Sequence, residues 1–339
     1  ALFIHMITIL IIGFFVPNGF EFVFLNFIAG IVAILSLTAS HRRGKLIVTA
    51  LLVSASYCLM YFAFSIIQEG QMESIDYMNF AWFGLNGVLI LIAFPLIYVF
   101  EKTFGFLSDA TLMELSDTNQ PLLRRLAERA PGTFQHSMQV ANLAEEAIIR
   151  IGGNPLLVRT GALYHDIGKM EEPIYFIENQ TSGINPHDNL EFQESAEKII
   201  NHVIKGVEIA KKYSLPEPII DFIRTHHGTT TVQYFYKSYV KTYPNEKVDV
   251  RKFKYPGPKP FSKETAVLMM ADSTEAASRS LKEITMDSIE ALVEGIINHQ
   301  IQEDQFINAD ITFKDITTIK KIFKEKLQNI YHARISYPK

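Results

Sequence analysis

Long charge-free apolar runs dominate the first hundred residues. Three runs are 19 to 22 residues long (Phe22–Ser40, Leu46–Ile67 and Phe80–Phe100), and Ala1–Val16 is 16 residues long. A helix of about 20 residues crosses a hydrocarbon core of about 30 Å. The pattern predicts about four membrane spans in residues 1–100, the first of them truncated. A signal peptide is the alternative for Ala1–Val16, but no basic segment precedes this run and further spans follow it.

The charges between these runs predict their orientation. The basic loop His41–Lys45 separates the second run from the third, and Lys102 follows the fourth. The other two loops, Pro17–Glu21 and Gln68–Asp76, contain acidic residues but no Lys or Arg. Because short basic loops stay on the cytoplasmic side, we expect the chain after residue 101 to lie in the cytoplasm.

After residue 100 the pattern becomes amphipathic with the period of helices, and strand signals are few. We expect a connector at 101–125 and an all-helical domain at 126–339. Cap residues and periodicity predict helices that open at Pro131–Thr133 (with Thr133 as N-cap), Asn154-Pro155, Ser214–Pro216 and Ser262. They also predict a long helix that ends near Tyr213 and two further helices at about 285–303 and 312–332. The predicted fold class is therefore all-α, a membrane helix bundle followed by a helical domain.

Composition divides the chain at the same place. Residues 1–100 carry seven formal charges, whereas the remaining 239 residues carry sixty-one. The only cysteine is Cys58, which excludes a disulfide scaffold. A net charge of −4 gives no electrostatic basis for binding a DNA or RNA polymer. No acidic or basic side chain except Glu21 lies at a plausible depth in the membrane, so the predicted spans indicate an anchor or sensor rather than a transporter.

Histidines and aspartates in the second region form an ordered series. The series consists of His136, His165, Asp166, His202, His226, His227 and Asp272. Imidazole and carboxylate together suit first-row transition metals. Seven such ligands are too many for one ion and suit two ions if one carboxylate bridges them. A single histidine on a helix is usually structural, but His165-Asp166 followed by Gly168-Lys169 after an apolar helix is a more specific signal.

The segments around these residues contain further recognisable motifs. These are Pro131–Met138, Gly161–Lys169, Glu178–Gln180, Asn185–Asp188, His226–Thr229, Tyr255–Pro260 and Ala271–Ala277. Together with the order of the ligands, they resemble the two-metal branch of the HD-domain metal-dependent phosphohydrolases. More narrowly, they resemble the seven-transmembrane HD proteins, the PgpH-like cyclic-di-AMP phosphodiesterases. This resemblance covers the whole chain.

The resemblance implies a specific assignment of ligands. His136, His165, Asp166 and Asp272 would hold one divalent metal ion, Mn or Fe, and Asp166, His202, His226 and His227 would hold the second. Asp166 would bridge the two ions, and a metal-bridged hydroxide would open cyclic di-AMP to linear pApA. Lys169 lies one turn beyond Asp166 and is the candidate for a contact with a phosphate oxygen.

The resemblance also implies partners and a location. The substrate would be a cyclic dinucleotide, with His187 and Tyr175 as further candidate substrate contacts. The protein would be a multi-pass protein of the bacterial cytoplasmic (inner) membrane, embedded in the lipid bilayer, and a homodimer is left open.

Three other functions stay open from the residues alone. A cyclic di-GMP phosphodiesterase of the HD-GYP type would carry Gly-Tyr-Pro near the paired histidines, whereas His227 is followed here by Gly-Thr-Thr-Thr. A mononucleotide phosphohydrolase would usually lack the histidines of the second metal. A non-catalytic nucleotide-binding membrane receptor would be favoured by a degenerate ligand set, and this set is complete.

Overall fold

The computed structural model describes residues 2–38, 44–70, 75–180, 183, 185–281 and 283–332. The chain divides into two units, Ala1–Ala110 and Thr111–Lys339. Over the described residues both units are helical, and the only β-type pairing there is an isolated bridge between Thr231 and Lys254. The predicted all-α fold class is confirmed. Residues 41–43 of the basic loop used above for orientation lie outside the described residues.

The α-helices are numbered here in chain order. They are α1 (Leu2–Gly13), α2 (Gly19–Thr38), α3 (Gly44–Glu69), α4 (Met78–Phe104), α5 (Asp109–Leu115), α6 (Pro121–Arg129), α7 (Pro131–Ile151), α8 (Pro155–Tyr164), α9 (Phe192–Lys212), α10 (Glu217–Thr225), α11 (Gln233–Thr242), α12 (Lys263–Ser278), α13 (Met286–Gln302) and α14 (Phe313–His332). Short 3₁₀ helices include Ile167–Met170, which directly follows the His165-Asp166 pair.

The first unit exposes apolar side chains on its outer surface. Phe3, Phe14 and Phe20 are among many large hydrophobic residues there that remain exposed. Within the described part of the first unit, two helical segments are suited by length and composition to crossing a membrane, Gly19–Leu37 and Leu46–Gln68. The apolar helical segments Leu2–Gly13 and Met78–Ala93 are shorter. The count of four crossings therefore stays a prediction.

Polar side chains inside the first unit bond to one another or to the backbone. The Tyr57 hydroxyl donates to Asn26 Oδ1 at 2.7 Å, and the Asn26 amide donates to the carbonyl of Phe22 at 2.8 Å. Aromatic rings pack nearby, with Tyr57 stacked on Phe83. These bonds satisfy polar groups that would otherwise be costly in an apolar environment.

The core of the second unit forms around α7, α8 and α12. One face of α7 carries small buried residues, including Ala141, Ala144 and Ala147, which allow neighbouring helices to approach closely. Helix α12 is buried along most of its length. At Gly161 on α8, an added Cβ would lie 2.3 Å from the Phe222 ring of α10. Close packing of these helices brings together the histidine and aspartate side chains of the series identified in the sequence.

Several helix boundaries match the sequence prediction. Asn154 caps α8 by accepting from the Leu157 amide, Ser262 caps α12 through a capping box, and α13 and α14 fall within the two predicted C-terminal stretches. Thr133 is not a cap. Helix α7 already begins at Pro131, which occupies its first position, and Thr133 lies buried in its first turn.

Three helices have no counterpart in the sequence prediction. Helix α5 and the start of α6 lie within the predicted connector 101–125, and α11 lies after the His226-His227 pair. Helix α11 is rich in tyrosine and packs Phe235 against Ala196 and Phe253. Packing of this kind overrides a weak local helix propensity. The predicted domain limits at residues 100 and 125 remain predictions.

Candidate metal centre

Five helical elements contribute the candidate ligands. His136 lies on α7, His202 on α9 and Asp272 on α12. The other four follow helix ends. His165 and Asp166 come directly after α8, and His226 and His227 come directly after α10. A helix end releases the chain from regular geometry, so two consecutive residues can direct their side chains to one point. All seven residues named from the sequence are brought together.

The seven side chains form two groups of potential ligands. His136, His165, Asp166 and Asp272 have ligand atoms within 4.8 Å of one another, and so do His202, His226 and His227. We call these the mixed group and the imidazole group.

Asp166 faces both groups with different oxygens. Its Oδ2 lies 3.3 Å from His165 Nε2 and 3.7 Å from His136 Nε2. Its Oδ1 lies 3.3 Å from His202 Nε2 and 3.5 Å from His226 Nε2. A carboxylate in this position can share two cations.

The polar atoms at the centre lack the hydrogen bonds that burial normally requires. Asp166 is 1% exposed and His165 fully buried, yet Asp166 Oδ1 and His165 Nε2 have no hydrogen bond of normal geometry, and the closest donor to Asp166 Oδ2 is the Lys169 ammonium at 2.7 Å. His202 Nε2 and His226 Nε2 face each other at 3.1 Å. Leaving buried polar atoms unsatisfied costs about 1–3 kcal/mol each. This donor set fits divalent cations, because a cation satisfies converging nitrogen and oxygen lone pairs at once.

In the mixed group the charges stabilise one another. Burial alone would lower the pKa of His165, but the neighbouring carboxylates of Asp166 and Asp272 raise it to about 10. Burial likewise opposes ionisation of both aspartates, yet Lys169 and His165 hold the pKa of Asp166 well below its usual range, and His136 and His165 do the same for Asp272. The aspartates are therefore ionised at neutral pH.

In the imidazole group the pKa values move the other way. Burial lowers the pKa of His226, an effect that the nearby Asp166 carboxylate only partly offsets. Burial lowers the pKa of His227 much further, and the neighbouring His226 adds to this. The rings of His227 and Tyr255 stack with centroids 4.2 Å apart, which excludes water from that side. Both histidines are therefore neutral, the form that binds a metal ion.

Lys169 lies at the boundary between the centre and a cleft. Its Nζ is 2.7 Å from Asp166 Oδ2 and 2.9 Å from Glu178 Oε1, and its side chain is 12% exposed. It lines a cleft of about 480 Å³ together with His136, Glu178, His227 and Asp272. The two carboxylates raise the pKa of Lys169, so the ammonium stays charged. A positive group at this position can contact an anionic substrate.

The structure does not bring Tyr175 and His187 to the cleft. His187 Nε2 lies 2.9 Å from the carbonyl of Tyr175, and its ring packs against Phe235. Tyr175 also contacts the ammonium of Lys198. Within the described part of the chain, the contacts of these two residues join the segments 173–180 and 185–189 to α9 and α11.

Some residues at the centre were not assigned from the sequence. Glu178 accepts hydrogen bonds from Lys169 and from Thr133 Oγ1. Gln305, which is 2% exposed, accepts from the Thr229 amide at 3.0 Å and so holds the loop that follows His227. Glu275 contacts His136 and lies three residues after Asp272. That helical spacing is a signal for Glu275, whereas nothing in the sequence pattern marks Gln305.

Gly168 allows a direct backbone contact between the two groups. A Cβ at this position would lie 1.8 Å from the carbonyl oxygen of His202 and 2.6 Å from the amide nitrogen of Gly206. Only glycine fits there. The turn that carries Asp166 therefore packs against the backbone of α9.

Comparison with known families gives two matches. A family described as 7TM receptor with intracellular HD hydrolase matches residues 1–108, and the HD domain family matches residues 133–277. Together with the two helical segments long enough to cross a bilayer, the first match indicates a membrane protein.

Comparison with individual proteins gives the same result. The chain is 40% identical over 316 residues to the cyclic-di-AMP phosphodiesterase PgpH of Bacillus subtilis, covering 92% of this chain and 44% of that protein. PgpH of Listeria monocytogenes is also 40% identical, covering 92% of this chain and 43% of that protein. The chain thus spans less than half the length of these curated relatives.

Solved structures of the Listeria monocytogenes PgpH HD domain are also similar. One matches with a TM-score of 0.60 and 46% identity, covering 63% of this chain and all of that chain. A second, solved in complex with cyclic-di-AMP, has the same TM-score and identity and covers 64% of this chain.

Proposed function

The chain belongs to the family of seven-transmembrane receptors with an intracellular HD hydrolase domain, and on this basis we propose that it is a membrane-anchored phosphodiesterase that hydrolyses cyclic di-AMP to linear pApA. The single observation that carries the proposal is the position of Asp166, whose two oxygens face two separate groups of ligands. A carboxylate placed between two groups of ligands is not expected for isolated structural histidines or for an ordinary ion pair.

Two divalent transition-metal ions, Mn or Fe, are the proposed cofactors. The mixed group would hold one ion and the imidazole group, together with Asp166, the other. Both metals accept imidazole and carboxylate ligands. When bound, such ions lower the pKa of water and neutralise phosphate charge.

The protein side chains have separate tasks in the proposed reaction. Asp166 links the two ligand groups. Asp272 Oδ1 lies 2.9 Å from His136 Nε2, so these two atoms would face the same cation. The Lys169 ammonium orients the phosphodiester by pairing with a non-bridging oxygen. Hydrolysis breaks the bond between phosphorus and the 3′-oxygen; water supplies a hydroxyl to phosphorus and a proton to that 3′-oxygen, which leaves linear pApA.

Support for cyclic di-AMP as the substrate comes from the relatives. The curated relatives are named cyclic-di-AMP phosphodiesterases, and a similar HD domain was solved in complex with that nucleotide. The cleft beside Lys169 combines charged groups with Ile177 and Ala276, a composition suited to a phosphodiester and a base.

The test uses the full chain purified in detergent, supplied with Mn²⁺ or Fe²⁺ and offered cyclic di-AMP and cyclic di-GMP in parallel. We expect preferential conversion of cyclic di-AMP to pApA, lost in Asp166→Asn and retained in Asp310→Asn, an exposed aspartate on the surface of the same unit. Tight binding of cyclic di-AMP without turnover in the presence of either metal would favour a nucleotide-binding receptor over an enzyme. Preferential turnover of cyclic di-GMP would contradict the assigned base.

The membrane arrangement is part of the proposal. We place the protein in the bacterial inner membrane as a multi-pass protein with the helical unit on the cytoplasmic side, as the basic loop 41–45 predicts. Fusions of a fluorescent protein and of alkaline phosphatase after residue 332 test this. Fluorescence with no phosphatase activity is the expected result, and the opposite pair of results would invert the orientation.

A further inference from the structure

Three of the candidate ligand histidines are held by their own backbone. In His165, His202 and His226 the Nδ1 atom donates to the carbonyl of the residue three positions earlier, at 2.7, 2.5 and 2.9 Å. A carbonyl accepts but does not donate, so each ring carries its proton on Nδ1. Its Nε2 is therefore presented to the centre. In these three residues the ring is oriented by the neighbouring backbone, without a charged side chain.

His136 is held in a different way. Its Nδ1 lies 2.5 Å from Glu275 Oε2, a carboxylate that α12 contributes from 139 residues further along the chain. Its Nε2 lies 2.9 Å from Asp272 Oδ1 and faces the centre. Glu275 is 7% exposed. A buried carboxylate therefore replaces the backbone carbonyl that orients the other three rings.

Glu275 is itself held by a second charged group. Arg279 donates to Glu275 Oε1 through Nε at 2.9 Å and through Nη2 at 2.7 Å. Arg279 caps the C-terminus of α12 and follows Glu275 by four residues, so α12 and its C-cap set the geometry of the pair. With Oε1 occupied by the guanidinium, Oε2 is left for His136. The contacts thus form a chain from Arg279 through Glu275 to the ligand ring.

A carboxylate acceptor changes a ligand histidine in two ways. A hydrogen bond to a charged group is about twice as strong as one to a neutral group, so the ring orientation is held more firmly. The negative charge also increases the electron density that Nε2 offers to a cation. Both effects act on the mixed group. In the imidazole group, Nδ1 of His202 and of His226 bonds to a backbone carbonyl, and His227 Nδ1 lies 3.8 Å from Asp272 Oδ2, beyond hydrogen-bond distance.

We propose that Glu275, oriented by Arg279, is a positioning residue that strengthens cation binding by the mixed group and leaves the imidazole group unchanged. The inference rests on the proposed function only in that the centre binds two cations. It assigns unequal affinities to the two sites and traces the difference to one carboxylate outside the ligand set.

The test measures metal binding by the full chain in detergent after removal of metal with a chelator. Glu275→Gln keeps the shape and an oxygen acceptor but loses the charge, and Glu275→Ala removes both. Arg279→Lys keeps a charge but not the two-point contact. Glu146→Gln is the matched control, because Glu146 and Arg150 form a pair at the same four-residue spacing on the exposed face of α7.

Bound manganese is counted by mass spectrometry, and the coupling between two adjacent Mn²⁺ ions is read from the electron paramagnetic resonance spectrum. We expect two equivalents and a coupled signal in the parent protein. In Glu275→Gln we expect the affinity for one Mn²⁺ equivalent to fall by about 10- to 100-fold while the affinity for the other is unchanged. The coupled signal then changes to that of an isolated ion. Arg279→Lys shows a smaller loss of the same equivalent, and Glu146→Gln shows none.

Two results would overturn the inference. The first is unchanged affinity of both equivalents in Glu275→Ala. The second is an equal loss of both equivalents with a lower melting temperature of the metal-free protein, which would make Glu275 a structural tie between α7 and α12. A parent protein that binds two ions but hydrolyses no nucleotide would contradict the proposed function alone. A parent protein that binds no metal would contradict both.

Discussion

The mixed group and the imidazole group reach neutrality of charge by opposite routes. In the mixed group, ion pairing outweighs the effect of burial. It raises the pKa values of His136 and His165 and lowers those of Asp166 and Asp272. The imidazole group consists of three histidines and contains no carboxylate, and burial keeps His226 and His227 uncharged.

The difference shows what each half requires before a cation arrives. In the imidazole group, His226 and His227 are ready to bind, because each neutral ring already has a nitrogen with a free lone pair. The mixed group must first release protons from its histidines, since a cation and a proton compete for the same Nε2 atoms. Four predictions follow from this contrast, beginning with the residue that the two groups share.

Asp166→Asn removes the charge that both groups use. We expect loss of hydrolysis by about 10⁴-fold or more and loss of both bound metal equivalents, because members of one catalytic unit are not additive. Metal content and turnover are measured together. If Asp166→Asn lost one equivalent only, Asp166 would belong to a single group and the bridging role would be wrong.

Lys169→Met changes only the mixed side of the centre. We expect turnover to fall by about 10²- to 10³-fold, since one charged group that stabilises developing charge contributes that much. Metal content should stay unchanged. Lys205→Met, at an exposed pair with Glu208, is the matched control. A loss of metal together with turnover would assign Lys169 to ligand positioning instead of substrate contact.

Gln305→Leu changes only the imidazole side. The Thr229 amide and hydroxyl would lose their partner, and we expect the free energy of unfolding to fall by about 1–3 kcal/mol. The imidazole group should lose metal affinity while the mixed group keeps it, the reverse of the pattern expected for Glu275. Chemical denaturation and metal titration measure the two effects. Gln120→Leu, at a partly exposed glutamine bonded to a backbone carbonyl, serves as the control.

The smallest expected effect concerns pH. The raised pKa of His165, about 10, contributes stability that is fully present below the unfolded value of about 6.5 and is lost as pH rises through 10. His136 is shifted in the same direction. The lowered pKa values of His226 and His227 add no slope above pH 7, because both rings are neutral there in either state.

The measurement is a series of thermal melts between pH 7 and 9.5 with chelator or with Mn²⁺. Without metal, we expect the melting temperature to fall by about 5 °C over this range. With Mn²⁺ it should rise or hold, because deprotonated rings bind the cation. A rising melting temperature in chelator would contradict the ion-paired description of the mixed group.

Much of the fold was accessible from the sequence because local signals determine it. Asn154-Pro155 and Ser262 cap their helices through hydrogen bonds within four residues. Thr133 shows the limit of such reasoning. Its hydroxyl donates to Glu178, 45 residues away, and Pro131 already provides the helix start.

The candidate site also contains residues that the sequence predicts and residues that it does not. The ligand order was readable because the residue types themselves express the chemistry, and the structure brings all seven together. Gln305 was not readable, since its contact with Thr229 depends on the path of the chain after α13. Tyr175 and His187 carry suitable side chains, yet they bond to each other through the Tyr175 carbonyl instead of facing the cleft.

The missing Cβ of Gly168 has a consequence for which cations the centre accepts. The turn after Asp166 and the helix that carries His202 touch through backbone atoms, so a change of rotamer cannot alter their separation. The two ligand groups are therefore held at one spacing. Calcium prefers six to eight oxygen ligands at about 2.3–2.6 Å in flexible sites, which this spacing and its nitrogen-rich donors do not provide. We therefore expect the centre to disfavour calcium because of the fixed spacing of its ligand groups as well as because of its ligand types.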